Sequence, residues 1–167
     1  SVLRTDADFA PKLGFIRRTD ALKVDAGTGW IHRISQGALS SYYVSPSFSE
    51  LFSADGQRNL GRTVNLYNSV SFRNGFNLGG SVGYSVDVVE EDFTLPTDQE
   101  VTTGRYGGTY VSFDARTPWN RTPQLSASYS WFNGFYGGEQ HSVNTSLSTY
   151  IGSHVRASAG GNLSWFT

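Results

Sequence analysis

The stretch "NGFNLGGSVGYSVDVVEEDF", Asn74 to Phe93, decides the fold. Phe76, Leu78, Val82, Tyr84, Val86 and Val88 share one parity, while Asn77, Gly79, Ser81, Gly83, Ser85 and Asp87 hold the other. Side chains alternate between the two faces of a strand, so this period of two describes a long strand with one oily face and one wet, small-residued face. Asn74-Gly75 in front of it is the strongest short hairpin signal in the chain.

The same pattern repeats on both sides. Upstream, Leu22, Val24, Ala26, Thr28 and Trp30 oppose Lys23, Asp25, Gly27 and Gly29. Next, Tyr42, Val44, Pro46 and Phe48 oppose Ser41, Tyr43, Ser45 and Ser47, with Pro46 predicting a bulge or an edge because it lacks a ladder donor. Then Val64, Leu66, Val70 and Phe72 oppose Asn65, Tyr67, Ser69 and Ser71. Downstream come Thr109 to Ala115 against Tyr110, Ser112 and Asp114, Leu125 to Trp131 and Val143 to Ile151 against mostly serines, and Val155 to Trp165 against Arg156, Ser158, Gly160, Asn162 and Ser164. A short first strand is expected at Leu13–Arg18. No amphipathic helix and no linker interrupts the series, so residues 1–167 read as a single domain or a segment of one.

Two environments produce such strands. A soluble sandwich meets bulk water on its polar face and carries Lys, Glu and Arg there. Here that parity is mainly Ser, Gly and Asn, which suits the moist, crowded inside of a closed barrel whose apolar parity faces lipid. The expected fold is all-β: an antiparallel up-and-down transmembrane β-barrel of about 8–10 strands in this chain, complete or part of a larger barrel. Trp30, Phe72, Phe76, Trp131 and Trp165 near strand ends fit an interfacial aromatic girdle. The connections predict short turns at one end and long loops at the other, with "NGFYGGEQ" (Asn133–Gln140) among the long ones.

Composition narrows the partners. The net charge of -1 argues against nucleic acid held by bulk charge. There is no Cys, so disulfides and thiolate metal sites are excluded. No apolar stretch is long enough for a spanning helix, and mean hydropathy is -0.34. The chain lacks Met and begins at Ser1, so a leader or larger N-terminal part is expected to precede it.

No enzyme motif emerges. His32, His141 and His154 are scattered without metal-site spacing, and read as loop or strand-end residues. Glu90, Glu91 and Asp92 read as a solvated loop rather than a calcium site. Gly79–Gly83 lies mid-strand and is no phosphate loop, and no GxSxG elbow exists. No cofactor is expected. Lys23, Asp25, Asp87, Asp114 and Arg156 fall on the polar parity, where they would line a lumen as a selectivity filter or as ion pairs filling a narrow barrel.

Three segments resemble the DUF5916 family: "DFAPKLGFIRRTD" (Asp8–Asp20), "DFTLPTDQEVTTGRY" (Asp92–Tyr106), and the late turn at Gly134–Gly138 followed by a long strand pair. Gly137 or Gly138 departs from the acidic residue usual in that turn. The resemblance runs from about Asp8 to Trp165. It implies a barrel in the outer membrane of a Gram-negative bacterium, often behind a domain like carbohydrate-binding module family 9, and it implies a longer full protein. The expected role is a porin-like membrane anchor or passive channel for a small solute, saccharide-related if the usual partner domain is a guide. Its partners would be the lipid bilayer and other subunits of an outer-membrane complex. The alternative is a soluble β-sandwich carbohydrate-binding module using Trp30, Trp119 and Trp131.

Overall fold

The computed structural model describes residues 2–5, 21–94, 100–118, 122–135, 137–151 and 155–167. The Leu13–Arg18 strand, Trp119 and His154 lie outside them. Every regular element is a β-strand: β1 (Val2–Thr5), β2 (Ala21–Gly27), β3 (Trp30–Arg33), β4 (Leu39–Ser53), β5 (Asn59–Phe72), β6 (Asn77–Val89), β7 (Phe93–Thr94), β8 (Glu100–Val101), β9 (Gly104–Arg116), β10 (Gln124–Phe135), β11 (Gly138–Ile151) and β12 (Val155–Phe166). All but β7 and β8 form one antiparallel 10-stranded sheet in the order β1-β2-β4-β5-β6-β9-β10-β11-β12, with β3 also on β4. β7 and β8 make a separate ribbon inside the β6–β9 connection.

The sheet is a meander, as the alternation predicts. No closed barrel is formed among the described residues, where β1 and β12 end the sheet and do not pair with each other. Among the described residues the strands fall into this one large sheet and the β7–β8 ribbon.

Pro46 does not bulge its own strand. β4 runs straight through it, pairing Pro46 with Leu66 of β5. The interruption falls on the other neighbour, where β2 stops at Gly27 and β3 starts at Trp30. Thr28 N still donates to Pro46 O at 3.2 Å, so the prolyl nitrogen also faces Thr28, where a ladder donor is missing.

Register keeps the two faces coherent across the sheet. One ladder runs Ala26–Phe48–Val64–Tyr84–Thr109–Asn133–Glu139, and Glu139 exchanges backbone hydrogen bonds with Thr167 just past β12. Because pairing is direct, the apolar parity of every strand lands on the same face. A bulge between Asn133 and Phe135 ends this order near the β10–β11 turn. It centres on Gly134, at φ +98°, which lies so close to Gly107 and Gly108 that a Cβ at Gly134 would sit 2.3 Å from Gly107 O.

The connections do not sort by length as the sequence suggests. One end carries Ile34–Ala38, Arg73–Phe76 and the segment 117–123. The other carries Ala54–Arg58, the long Glu90–Thr103 connection and the segment 136–137. The "NGFYGGEQ" stretch is therefore mostly strand: β10 persists to Phe135 and β11 begins at Gly138. The first is the turn end and the second the loop end.

Among the described residues there is almost no conventional core: the buried aliphatic side chains are Ala21, Leu60, Val86, Val89 and Val101, all towards the loop end.

Candidate functional site

The apolar face is exposed. Among the described residues, Trp30, Val64, Leu66, Leu78, Val82, Tyr84, Phe113, Leu125, Tyr129, Leu147, Val155, Leu163 and Trp165 are large apolar or aromatic side chains open to the surroundings on this face. In β6 the intervening residues of the polar face are more enclosed: Asn77, Gly79, Ser81, Gly83 and Ser85 are half-buried while Leu78, Val82 and Tyr84 are exposed, whereas β12 is open on both faces. A flat sheet would expose both faces alike, so the polar face is the inside of a curved one.

A shared cavity supports that curvature. It is an open pocket of about 420 Å³, and its lining includes Lys23 of β2, Ser85 and Asp87 of β6, Tyr106 of β9 and Phe132 of β10. Strands β2 and β10 lie five spacings apart in the sheet, about 24 Å if it were flat. One cavity of this size touches both only if the sheet curls its polar face inward.

On the polar face, small polar side chains bond across the strands. Ser81 and Ser112 hydroxyls lie 2.7 Å apart, Ser126 and Ser146 2.7 Å, Ser142 and Ser164 2.8 Å, and Thr63 and Ser85 3.0 Å. Asn162 donates to the Asn144 side-chain oxygen. These pairs are direct cross-strand neighbours, which is why Ser and Asn recur at every second place. The glycines make room for larger groups: a Cβ on Gly79 would meet the Tyr67 hydroxyl at 2.5 Å and the Asp114 carboxylate at 2.6 Å. The buried side-chain oxygen of Asn65 has no hydrogen-bond partner.

All five charged residues singled out from the sequence sit on this polar face, but not as one cluster. Lys23 Nζ lies 3.1 Å from Asp25 Oδ1. Asp87 joins Lys23 in the cavity lining. Asp114 stands further along, over Gly79. Arg156, on β12, donates to Ser148 Oγ at 3.1 Å.

On the apolar face, charge is confined to the loop end. Arg62 pairs with Glu50 across β4 and β5, its Nε 2.7 Å from Glu50 Oε1. Arg105 lies opposite Val88, and Glu139 opposite Asn133. From there to the turn end, no Asp, Glu, Lys or Arg of β2 to β12 occupies the apolar parity.

The aromatic residues divide by position. Phe72 and Phe76 face each other across the Asn74-Gly75 turn, ring centroids 5.9 Å apart. Trp30 stacks on His32 at 5.6 Å, towards the middle of the sheet. Trp131 and Trp165 lie near the loop end, on either side of His141 in one ladder. His141 lies near the start of β11. Its ring stacks on Trp165 at 5.1 Å with a 5° interplanar angle, and its Nδ1 is 2.9 Å from the Tyr129 hydroxyl. Trp131 Nε1 donates to Glu139 Oε2 at 3.1 Å, and His141 Nε2 lies 3.6 Å from the same oxygen. The sequence does hold the signal for this cluster: Glu139, His141 and Val143 continue the parity of β11 towards its start.

The acidic run at Glu90–Asp92 ties the loop end together. Glu90 Oε1 meets Arg58 Nη1 at 2.6 Å. Asp92 accepts from the Thr103 hydroxyl at 2.7 Å and from its backbone N–H at 2.5 Å, and these bonds hold the Asp92 carboxyl below the usual carboxylate range. Among the described residues, no group of three His, Asp or Glu is placed to hold a metal ion, and no helix is long and apolar enough to cross a membrane. No family model, no curated protein and no solved structure matches the chain.

Proposed function

We propose that the chain forms the wall of a transmembrane β-barrel in a bacterial outer membrane, and that it serves as an anchor or as a passive route for a small polar solute. One observation carries the reading: the apolar residues of successive strands are exposed, in register, on the convex face, while serine, glycine and asparagine are turned inward. In water such a surface is an aggregation hazard, whereas in a bilayer it is the required exterior.

Dimensions support it. On β5, the apolar parity runs from Val64 to Phe72, between the Arg62–Glu50 pair and the Asn74-Gly75 turn. Nine residues at about 3.4 Å each, tilted by about 40°, rise about 23 Å, close to the height of an outer-membrane barrel's apolar band. The Trp131–His141–Trp165 row then stands one ladder step inside the charged level, where amphipathic rings belong. The likeness of three segments to the DUF5916 family points the same way and suggests a saccharide-related solute.

The trough sets what passes. Hydroxyl pairs and the Lys23–Asp25 bridge leave a polar but crowded interior, suited to a small uncharged or zwitterionic solute. The test is co-flotation of refolded protein with phospholipid vesicles, followed by conductance across a planar bilayer. A chain that stays monodisperse in plain buffer and ignores vesicles ends the membrane reading. A chain that floats without conducting is an anchor.

A further inference from the structure

We infer that, in the bilayer, β12 pairs with the outer edge of β2 and β3 and takes the place of β1, closing an antiparallel ring of eight strands. The inference rests on the membrane reading above and names how the ring closes.

Strand direction supplies the first reason. Taking β2 and β3 as one interrupted strand, the path from β1 to β12 counts nine, and neighbours alternate in direction. β1 and β12 therefore run the same way, and joining them would put one parallel seam into an otherwise antiparallel wall. Leaving β1 out gives eight strands, with β12 antiparallel to β2 and β3. Single-chain barrels of bacterial outer membranes have even strand numbers, eight being the smallest.

Open edges supply the second. β1 covers β2 only from Ala21 to Val24. Among the described residues, no strand pairs with the outer edge of β2 or β3 beyond Val24, and none pairs with the outer edge of β12. Unpaired backbone groups cost several kcal/mol each in hydrocarbon, so both edges must be satisfied there. Curvature is the third reason. Lys23 and Phe132 line one cavity, which needs the tight curl of a small ring, since barrel diameter grows with strand number.

The register follows. At a tilt of about 40°, one circuit of eight strands displaces the ladder by about 32 Å, or about ten residues. The sense is visible in the strand ends: the ladder crosses β5 at Val64, five places in from Asn59, but meets β12 at Thr167, beyond Phe166. It drifts towards the loop end. Continued around the ring, this drift sets Ala157 opposite Ala26 and Ala159 opposite Val24, apolar parity on apolar parity. A displacement of the opposite sense would carry β12 past the end of β3.

The chain has no cysteine, so engineered pairs report without background. Ala157→Cys is combined in turn with Val24→Cys, Ala26→Cys and Thr28→Cys, and Val2→Cys with Val24→Cys serves as the competing pair. Each protein is floated with vesicles, oxidised, and run without reductant. The expected result is an intramolecular cross-link, seen as a faster-migrating band, strongest for one of the three Ala157 pairs, with loss of the Val2–Val24 cross-link. Protein that floats but cross-links only Val2 to Val24, or only between molecules, overturns the closure and leaves the membrane reading intact. Protein that does not float overturns both.

Discussion

Ser45 donates its hydroxyl to the carbonyl of Thr28 at 2.9 Å, beside the one residue of β4 that has no N–H to give. Pro46 accepts from Thr28 N but returns nothing, so the carbonyl of Thr28 would lack a strand partner. The serine one place earlier supplies the bond. It lets β4 cross the break between β2 and β3 unbent, and so keeps the apolar parity of Trp30 and His32 in phase with that of Ala26.

Ser45→Ala should therefore destabilise the folded state by about 0.5–1 kcal/mol, at the low end for a hydrogen bond because the site is exposed. In a Pro46→Ala background the backbone N–H is restored, and the same substitution should cost less. Urea unfolding of the four proteins in detergent, followed by gel mobility, measures the coupling. Equal costs in the two backgrounds would show that the hydroxyl does not stand in for the missing donor.

Two glycines should answer oppositely to alanine. At Gly108 a Cβ would lie 1.8 Å from the Asn133 carbonyl oxygen, a backbone atom fixed by the Gly134 bulge. Gly108→Ala should cost about 1–3 kcal/mol through overpacking. At Gly161 a Cβ meets nothing within 4 Å, so Gly161→Ala should be neutral or slightly stabilising by reducing the freedom of the unfolded chain. Thermal melts of both variants in the same micelle decide this.

Acid should loosen the loop end before the wall. The carboxyl of Asp92 is held low by the Thr103 hydroxyl and then by the Thr103 N–H, and that of Asp55 by the Ser53 hydroxyl, the Gln57 N–H and nearby Arg58. A carboxyl whose folded pKa lies below its unfolded value stabilises fully above the unfolded value. The contribution fades as pH falls through the ordinary carboxylate range and is gone below the folded pKa. Amide exchange at Thr103, corrected for intrinsic rate, should accelerate over that interval. Asp92→Asn should exchange fast at neutral pH and show little further change.

Much of the wall was legible because period two is a local signal. Leu78, Val82 and Tyr84 against Ser81, Gly83 and Ser85 announce a strand and its two faces without any partner in view. The same parity sets Lys23, Asp25, Asp87, Asp114 and Arg156 among the serines and glycines of their strands. What the residues did not announce depends on register. The effect of Pro46 falls on β2 and β3, more than a dozen residues away, because a missing donor is felt by whichever strand lies opposite. "NGFYGGEQ" reads as a loop because of its glycines, yet Gly134 serves a bulge inside β10, and both strands continue almost to the turn. The His141 stack on Trp165 joins β11 to β12, and its geometry exists only once those strands pair. Closure is least legible of all, since alternation describes a wall equally well whether or not its edges meet.

The sharpest prediction concerns neighbouring residues with opposite surroundings. Val82 is exposed on the apolar face in the middle of β6, two same-face steps from Val86, which pairs with Arg62, while Ser81 beside it lies on the polar face and shares a hydrogen bond with Ser112. In a bilayer, Val82→Arg should cost about 2–4 kcal/mol, the penalty for arginine near the midplane of a barrel's lipid face. In plain water the same arginine would replace an exposed valine and be neutral or helpful. Ser81→Ala forfeits one hydroxyl pair and should cost about 1 kcal/mol in either solvent. Refolding yields of the three proteins into thin vesicles, read by heat-dependent gel mobility, rank them. A Val82→Arg protein that inserts as well as the parent would mean that this face never meets acyl chains.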